Sequence, residues 1–319
     1  MQILCLGEVL VDMLGQDVEQ NGESSRMFRP YAGGAPANVA VAVAKLGGSS
    51  ALISKVGNDS FGKMLVTTLK SYEVDDRFIA TSEGKTALAF VDLDEQGERT
   101  FDFYVENAAH KDITNDDVEN VALDQQTLLH LCSGSFSTAG LRTSTTTLIQ
   151  RAHSCDAPLC MDINFRPGFW QDPTQAPAII DNAARQMNII KASHEELEAL
   201  YGEHASDKVQ QWHEAGVALI LITDGGQPVS YISTASSGSF AVPATSVKDT
   251  TAAGDAFIGG LLYQLAASVS GGAQLETFLS DNDNIVMLLD VATRCGAVAV
   301  SRFGAFDALP SRADIISTD

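Results

Sequence analysis

Basic residues are what this sequence has least of. Lys and Arg number 20 against 41 Asp and Glu, for a formal charge of −21. A nonspecific nucleic-acid binder needs a basic face to neutralise phosphates, and an anchor on anionic membrane needs one too, so both classes are excluded. Cysteine is scarce. Five residues, at 5, 132, 155, 160 and 295, form an odd set mostly in apolar context. That predicts reduced, buried thiols rather than a disulfide framework. Cys155 and Cys160 lack close zinc-ligand spacing and there is no HEXXH motif, so no zinc site is expected. Long apolar runs are missing as well: the stretch 285–300 is broken by Asp290 and Arg294, which excludes it as a membrane span. The first residues have no basic start, and Glu8 and Asp12 interrupt their apolar run, so they read as a buried strand rather than a signal peptide. These absences together point to the cytoplasm.

Two phosphate-binding signatures are also wanting. The first strand runs into Gly7-Glu8-Val9-Leu10-Val11-Asp12 rather than G-x-G-x-x-G, so the dinucleotide fingerprint is absent. Gly57-Asn58-Asp59-Ser60-Phe61-Gly62-Lys63-Met64 has P-loop spacing through its lysine. However, Met64 stands where Ser or Thr would hold Mg²⁺, and Asp59 adds negative charge to the cradle. The segment reads as a turn entering a helix.

What is present is the composition of a packed globular protein, 45% hydrophobic and 19% charged. Short apolar runs (2–9, 51–56, 128–132, 158–161, 188–190, 218–223) alternate with helical patterns such as 36–46 and 61–71. This predicts an α/β fold: a three-layer α/β/α sandwich around a mainly parallel sheet. Two stretches depart from it. The polar segment 15–29 and the alternating segment 86–105, with turn residues Asp94-Glu95-Gln96-Gly97, suggest a small sheet outside the sandwich. The chain thus reads as one domain, 1–319, with an excursion formed by about 13–31 and 86–110.

Two glycine-rich helix starts carry the chemistry. In Asp249-Thr250-Thr251-Ala252-Ala253-Gly254-Asp255-Ala256-Phe257, small residues lead into an apolar helix. Successive N–H groups at such a start bind anions, and a carboxylate beside them can take a proton from an attacking alcohol. The same aspartate also suits an ordinary first helical turn. In Ala32-Gly33-Gly34-Ala35-Pro36-Ala37-Asn38-Val39-Ala40, two glycines permit close approach of a ligand and Pro36 suits the first turn. Asn38 is costly on a small apolar face unless its amide is used. Asp12 follows the first strand, near the sheet edge where α/β proteins bind ligands. An acid acceptor with an amide suits sugar hydroxyls.

These motifs, in this order and at these ends, resemble those of the ribokinase-like (PfkB) carbohydrate kinases over nearly the whole chain. Among them the sequence is most similar to the fructokinases, through Gly97-Glu98-Arg99-Thr100-Phe101-Asp102-Phe103-Tyr104 and Asp162-Ile163-Asn164-Phe165-Arg166-Pro167. The resemblance implies a transferase that uses ATP with Mg²⁺. Asp255 would be the general base and Ala252, Ala253 and Gly254 the anion hole. Asp12, Gly33, Gly34, Asn38, Phe101, Phe103 and Arg166 would hold the sugar. Asn164, Ser193, Thr223, Gly225 and Gly254 would face the nucleotide. Glu196 would reach Mg²⁺ through water, although Ser193-His194-Glu195-Glu196 is equally a helix capping box. Asp249 and Thr251, with carbonyls at Ala299, Arg302 and Gly304, match a K⁺ site in many relatives; the stretch 301–304 also reads as a plain turn. The excursion would be a lid over the sugar and a homodimer contact.

Three departures from the family pattern stand out. Ala252 replaces the commonest glycine, Pro228 replaces a loop glycine, and Val105-Glu106-Asn107-Ala108-Ala109-His110 lacks the basic residue usual after the aromatic strand. Fructose is the first expectation for substrate, with 2-keto-3-deoxygluconate, ribose and an aminoimidazole riboside as rivals. A noncatalytic sugar or nucleotide sensor is the alternative outside enzymes. The net charge leaves ATP a narrow route in: Mg²⁺, Arg166 and oriented N–H groups rather than a basic patch.

Overall fold

A computed structural model of the chain describes residues 1–20, 23–93 and 99–316. Its strands, in chain order, are β1 (Gln2–Leu6), β2 (Leu10–Gln20), β3 (Glu23–Gly33), β4 (Ser49–Gly57), β5 (Ile79–Ser82), β6 (Ala87–Leu93), β7 (Arg99–Tyr104), β8 (Thr127–Cys132), β9 (Leu159–Asp162), β10 (Ile189–Ser193), β11 (Leu219–Thr223), β12 (Val229–Ser233) and β13 (Ser237–Phe240). The main sheet has the order β13-β12-β11-β10-β9-β8-β1-β4-β5, parallel from β11 through β5 and antiparallel at the β12–β13 edge. Its central strands are apolar on both faces. In β1, Ile3 and Cys5 enter one core while Leu4 and Leu6 enter the other. That is the pattern of a parallel sheet covered by helices on both sides, and it yields the expected α/β/α sandwich.

The second sheet, β3-β2-β6-β7, is the expected excursion with different limits. It begins at Leu10, because the first strand stops at Leu6 rather than running to residue 9, and Asp12 and Gly33 therefore belong to this sheet. It ends at Tyr104. Residues 105–110 return to the main body, where Val105, Ala108 and Ala109 are buried. The turn at 94–97 lies outside the described residues. Strand β5 and the serine-rich hairpin β12–β13 carry too little apolar pattern to stand out in the sequence.

The P-loop-like segment is a helix start. Asp59 caps Ser60–Ser71 by accepting the Gly62 N–H at 2.8 Å, and it also accepts the Thr86 N–H and hydroxyl at 3.0 and 2.8 Å. A carboxylate thus fills the place where phosphate would lie. The cysteines are all free, and four of the five are buried.

Three helices stack closely on one face of the sheet: Ala35–Lys45, Ala253–Ser268 and Asn282–Val300. Small residues make the contact. A methyl group at Gly259 would sit 2.6 Å from the Ala42 Cβ, and one at Gly260 would sit 2.6 Å from the Cys295 Sγ. Gly259→Ala should therefore destabilise the protein by about 1–3 kcal/mol, the usual range for overpacking a core. Removing the opposing methyl in Ala42→Gly/Gly259→Ala should recover most of the loss in denaturant melts. A double variant no more stable than Gly259→Ala would contradict this contact.

Candidate active site

The strand order reverses direction beside β1: connections after β1 build the sheet towards β5, and those after β8 build it towards β13. In open α/β sheets the crevice beyond the carboxyl ends of such strands receives ligands. Here it receives the starts of two helices. Ala42 and Gly259, which pack together, each lie one helical turn beyond Asn38 and Asp255. The same turn earlier, the Asn38 amide donates to Asp255 Oδ2 at 2.7 Å, with both residues buried. The sequence motifs at the two ends of the chain are therefore one site.

Local backbone geometry explains the small residues. Gly34 has φ +104°, and a Cβ there would lie 2.8 Å from the Glu8 carbonyl oxygen. A Cβ at Gly33 would lie 2.2 Å from Asp12 Oδ2, so the two chains touch where β2 pairs with β3. Ala252 adopts the left-handed conformation with φ 57°. This costs an L-residue about 1 kcal/mol and accounts for the glycine usual at that position. Of the expected anion-hole amides, Ala253 N–H donates to the Thr250 carbonyl at 3.3 Å. Ala252 is the N-cap of Ala253–Ser268, and the Gly254 amide lies in its first turn, where N–H groups have no intrahelical acceptor.

Asp255 is enclosed by charge and amides. Asn164, itself left-handed at φ 39°, donates to Asp255 Oδ1 at 3.4 Å, so its amide meets the acid rather than the more distant nucleotide-side loops. Burial pushes the Asp255 carboxyl up to about 6, and Asp162 adds to the rise; the Asn38 amide, Lys191 and Arg166 oppose it. Glu8 is a second buried acid. Its Oε1 accepts the Ala35 N–H at 3.1 Å. Burial pushes it up to about 7 against the Glu8 and Ala35 amides, with Asp255 raising it further and Arg166 lowering it.

A cavity of about 1050 Å³ opens between these helix starts and the small sheet. Strand alternation turns Leu10, Asp12, Leu14 and Gln16 into it, beside Tyr31 and Phe103. Gly34, Asn38, Asn164, Arg166, Asp249, Thr251, Ala252 and Asp255 complete the expected lining. Phe101 lies on β7, but its side chain is outside the described residues.

The remaining expected residues sit further along the same sheet edge. Ser193 and Thr223 pair in register at the ends of β10 and β11, and Gly225 follows with φ 51°. Ser193 and Glu196 form the capping box in both directions, at 2.9 and 3.1 Å. The other Glu196 oxygen lies 3.6 Å from Arg166, which leaves this carboxylate suited to Mg²⁺ through water. Beside the anion-hole turn, Asp249 accepts the Thr251 and Gly304 N–H groups, both at 2.9 Å. The Thr251 hydroxyl is buried without a hydrogen-bond partner. The Ala299 carbonyl oxygen accepts the Arg302 N–H at 3.1 Å, while the Arg302 side chain turns away to Asp314. An orphaned hydroxyl among oxygen donors fits a hard monovalent cation.

Sequence reasoning missed Glu8, Tyr31, Phe169, Asp162 and Lys191 as part of this neighbourhood. Two signals were available: a carboxylate just past the first strand, and a lysine inside the apolar run Ile189-Ile190-Lys191-Ala192.

Known proteins resemble the chain along nearly its whole length. The model of the pfkB family of carbohydrate kinases matches residues 1–312. A fructokinase of Vibrio alginolyticus is 34% identical across 99% of this chain and 98% of its own length. The crystal structure of a fructokinase with bound ATP from Xylella fastidiosa superposes with a TM-score of 0.90 at 35% identity, covering 99% of this chain and 97% of that one. A fructokinase double mutant from Vibrio cholerae O395, in a form binding fructose, ADP and potassium ion, gives a TM-score of 0.87 at 30% identity over the same shares.

The raised Asp255 acid has a consequence for stability. Its folded value lies above the unfolded one, so the folded state is favoured while the acid is protonated and is penalised as pH rises through about 6. Asp255→Asn should remove the penalty. The variant should be more stable than wild type by about 1–3 kcal/mol at pH 7.5, and the gain should vanish near pH 4. Urea melts at the two pH values test this; equal differences at both would contradict it.

Proposed function

The chain belongs to the pfkB family of carbohydrate kinases, and on that premise we propose that it transfers the γ-phosphoryl group of ATP to fructose, giving fructose 6-phosphate. The observation that carries the reading is the buried Asn38–Asp255 pair at the two helix starts, facing a cavity large enough for a sugar and the phosphate end of a nucleotide. Asp12, Asn38 and Arg166 orient the sugar, with Gly33 and Gly34 allowing the approach. Phe103 supplies an apolar wall. Asp255 accepts the hydroxyl proton as the sugar oxygen forms its bond to the γ-phosphorus and the bond to the ADP oxygen breaks. The amides of Ala252, Ala253 and Gly254 stabilise the charge on the equatorial oxygens, those of Ala252 and Gly254 most directly.

The nucleotide extends along Ser193, Thr223 and Gly225, and Asn164 holds the acid at its phosphate end. Glu196 would hold an Mg²⁺ ion through water, and that ion would neutralise phosphate charge there. Potassium would be held by Asp249, Thr251 and the carbonyls of Ala299, Arg302 and Gly304, keeping the anion-hole turn in place. The small sheet closes over the sugar as a lid of one kinase domain and keeps water from competing for the phosphoryl group. Its outer face carries Phe28, Phe90 and Tyr104 in edge-to-face contact, with Phe28 and Tyr104 exposed, which supports a homodimer through the lid. Five unpaired thiols suit the cytoplasm.

The test is a substrate panel of fructose, ribose, 2-keto-3-deoxygluconate and an aminoimidazole riboside, scored by ADP release with ATP, Mg²⁺ and K⁺. Fructose should give the highest kcat/KM. Asp255→Asn should stay folded and lose about 10²–10⁴ in kcat, the span of a general base. The wild-type kcat/KM should fall below about pH 6 as Asp255 protonates. A rival sugar turned over fastest would replace fructose, and sugar binding without ADP release would make the protein a sensor. Near-wild-type turnover in Asp255→Asn would sink the assignment of the base.

A further inference from the structure

We infer that Lys191 is a positioning residue for phosphoryl transfer: its buried ammonium stands against Gly254 and supplies full positive charge behind the helix start that receives the transferred group. The inference rests on the kinase reading above and deepens it.

Lys191 lies on β10 in the middle of the main sheet and is 4% exposed. Its Nζ is 3.0 and 3.1 Å from the two oxygens of Asp162, which is fully buried on the neighbouring strand β9. As a fold device this pair is redundant. The two residues already face each other in the β9–β10 ladder, and a buried ion pair between bonded strands is replaceable by apolar side chains.

Its position is what a purely structural pair would avoid. A Cβ at Gly254 would lie 2.9 Å from Nζ, so the glycine brings the first turn of Ala253–Ser268 directly onto the ammonium. A helix start carries partial positive charge of its own and disfavours a cation beside it. The arrangement becomes favourable when an anion arrives, because amide dipoles and ammonium then act on it together through a dry, weakly screened medium. Burial works against the charge on Lys191, but Asp162, Glu196 and Asp255 more than offset it, so the ammonium stays charged. The cations acting on Asp255 are Lys191 and Arg166, and the nearby acids are Asp162 and Glu8. Of the two cations Arg166 is half exposed and Lys191 is not.

The experiment uses the full chain and whichever sugar of the panel the wild type phosphorylates fastest. Lys191→Met alone leaves Asp162 unpaired and can unfold the protein, so the decisive comparison is Asp162→Asn against Asp162→Asn/Lys191→Met, each checked by thermal unfolding. The double variant leaves no unpaired charge. It should keep KM for sugar and ATP within about threefold while kcat falls about 10²–10³-fold, the loss seen when one transition-state donor is removed. Asp162→Asn, which keeps the ammonium, should retain kcat within about tenfold, with the acid limb of its pH profile moved to lower pH because the nearby anion is gone. A double variant with near-wild-type kcat overturns the inference, and so does a kcat loss shared equally by both variants, the mark of a structural pair. A wild type silent on every sugar overturns the kinase reading itself, and this inference with it.

Discussion

The contact between Gly259 and Ala42 governs the rest of the molecule. It lets two helices separated by more than 200 residues of chain run side by side with their starts at one edge of the sheet. A helix start is a set of N–H groups without acceptors, and two such starts at one crevice make a place where anions and hydroxyls are welcome. One turn before the contact, on each helix, stand Asn38 and Asp255. Their 2.7 Å hydrogen bond follows from the helix–helix spacing as much as from the side chains themselves. The reversal in strand order beside β1 then puts this pair where the sheet offers a crevice.

The second constraint is charge. The chain carries −21 overall, and the site itself gathers Glu8, Asp162, Glu196 and Asp255. In such a site the features that favour a polyanion are local: the buried Lys191 ammonium, the Arg166 guanidinium and oriented amides. Burial, with Asp162 adding to it, keeps Asp255 more basic than an exposed aspartate. Net charge thus disfavours broad anionic surfaces while leaving room for one small anion.

Much of this was legible in the sequence, for reasons that differ by residue. Gly33, Gly34 and the run 252–254 announce close backbone approach, because side chains are missing where helices begin. Asp255 and Asn38 stand out as polar groups on apolar helices. That they touch was not legible, since nothing in either segment encodes a spacing set by a glycine one turn further on. Lys191 and Asp162 were hidden for the opposite reason: each stands just past an apolar run, at 188–190 and 158–161, where pattern reading ends the strand and passes over the charge that extends it. Glu8 was read only as an interruption of a hydrophobic run, although it receives the first amide of Ala35–Lys45. The small sheet starts earlier than its composition shows because only three residues separate β1 from β2. Glu196 illustrates a pattern with two meanings: its capping box is present, and the box leaves one oxygen facing Arg166.

The central claim is that the two helix starts enclose a single acid and make it a base suited to neutral pH. Carboxyl ¹³C NMR titration of the free protein, with the Asp255 signal assigned through Asp255→Asn, tests this without any assumption about substrate. The account predicts a midpoint near 6 for that signal. A midpoint near 4, the value of an exposed aspartate, would contradict it.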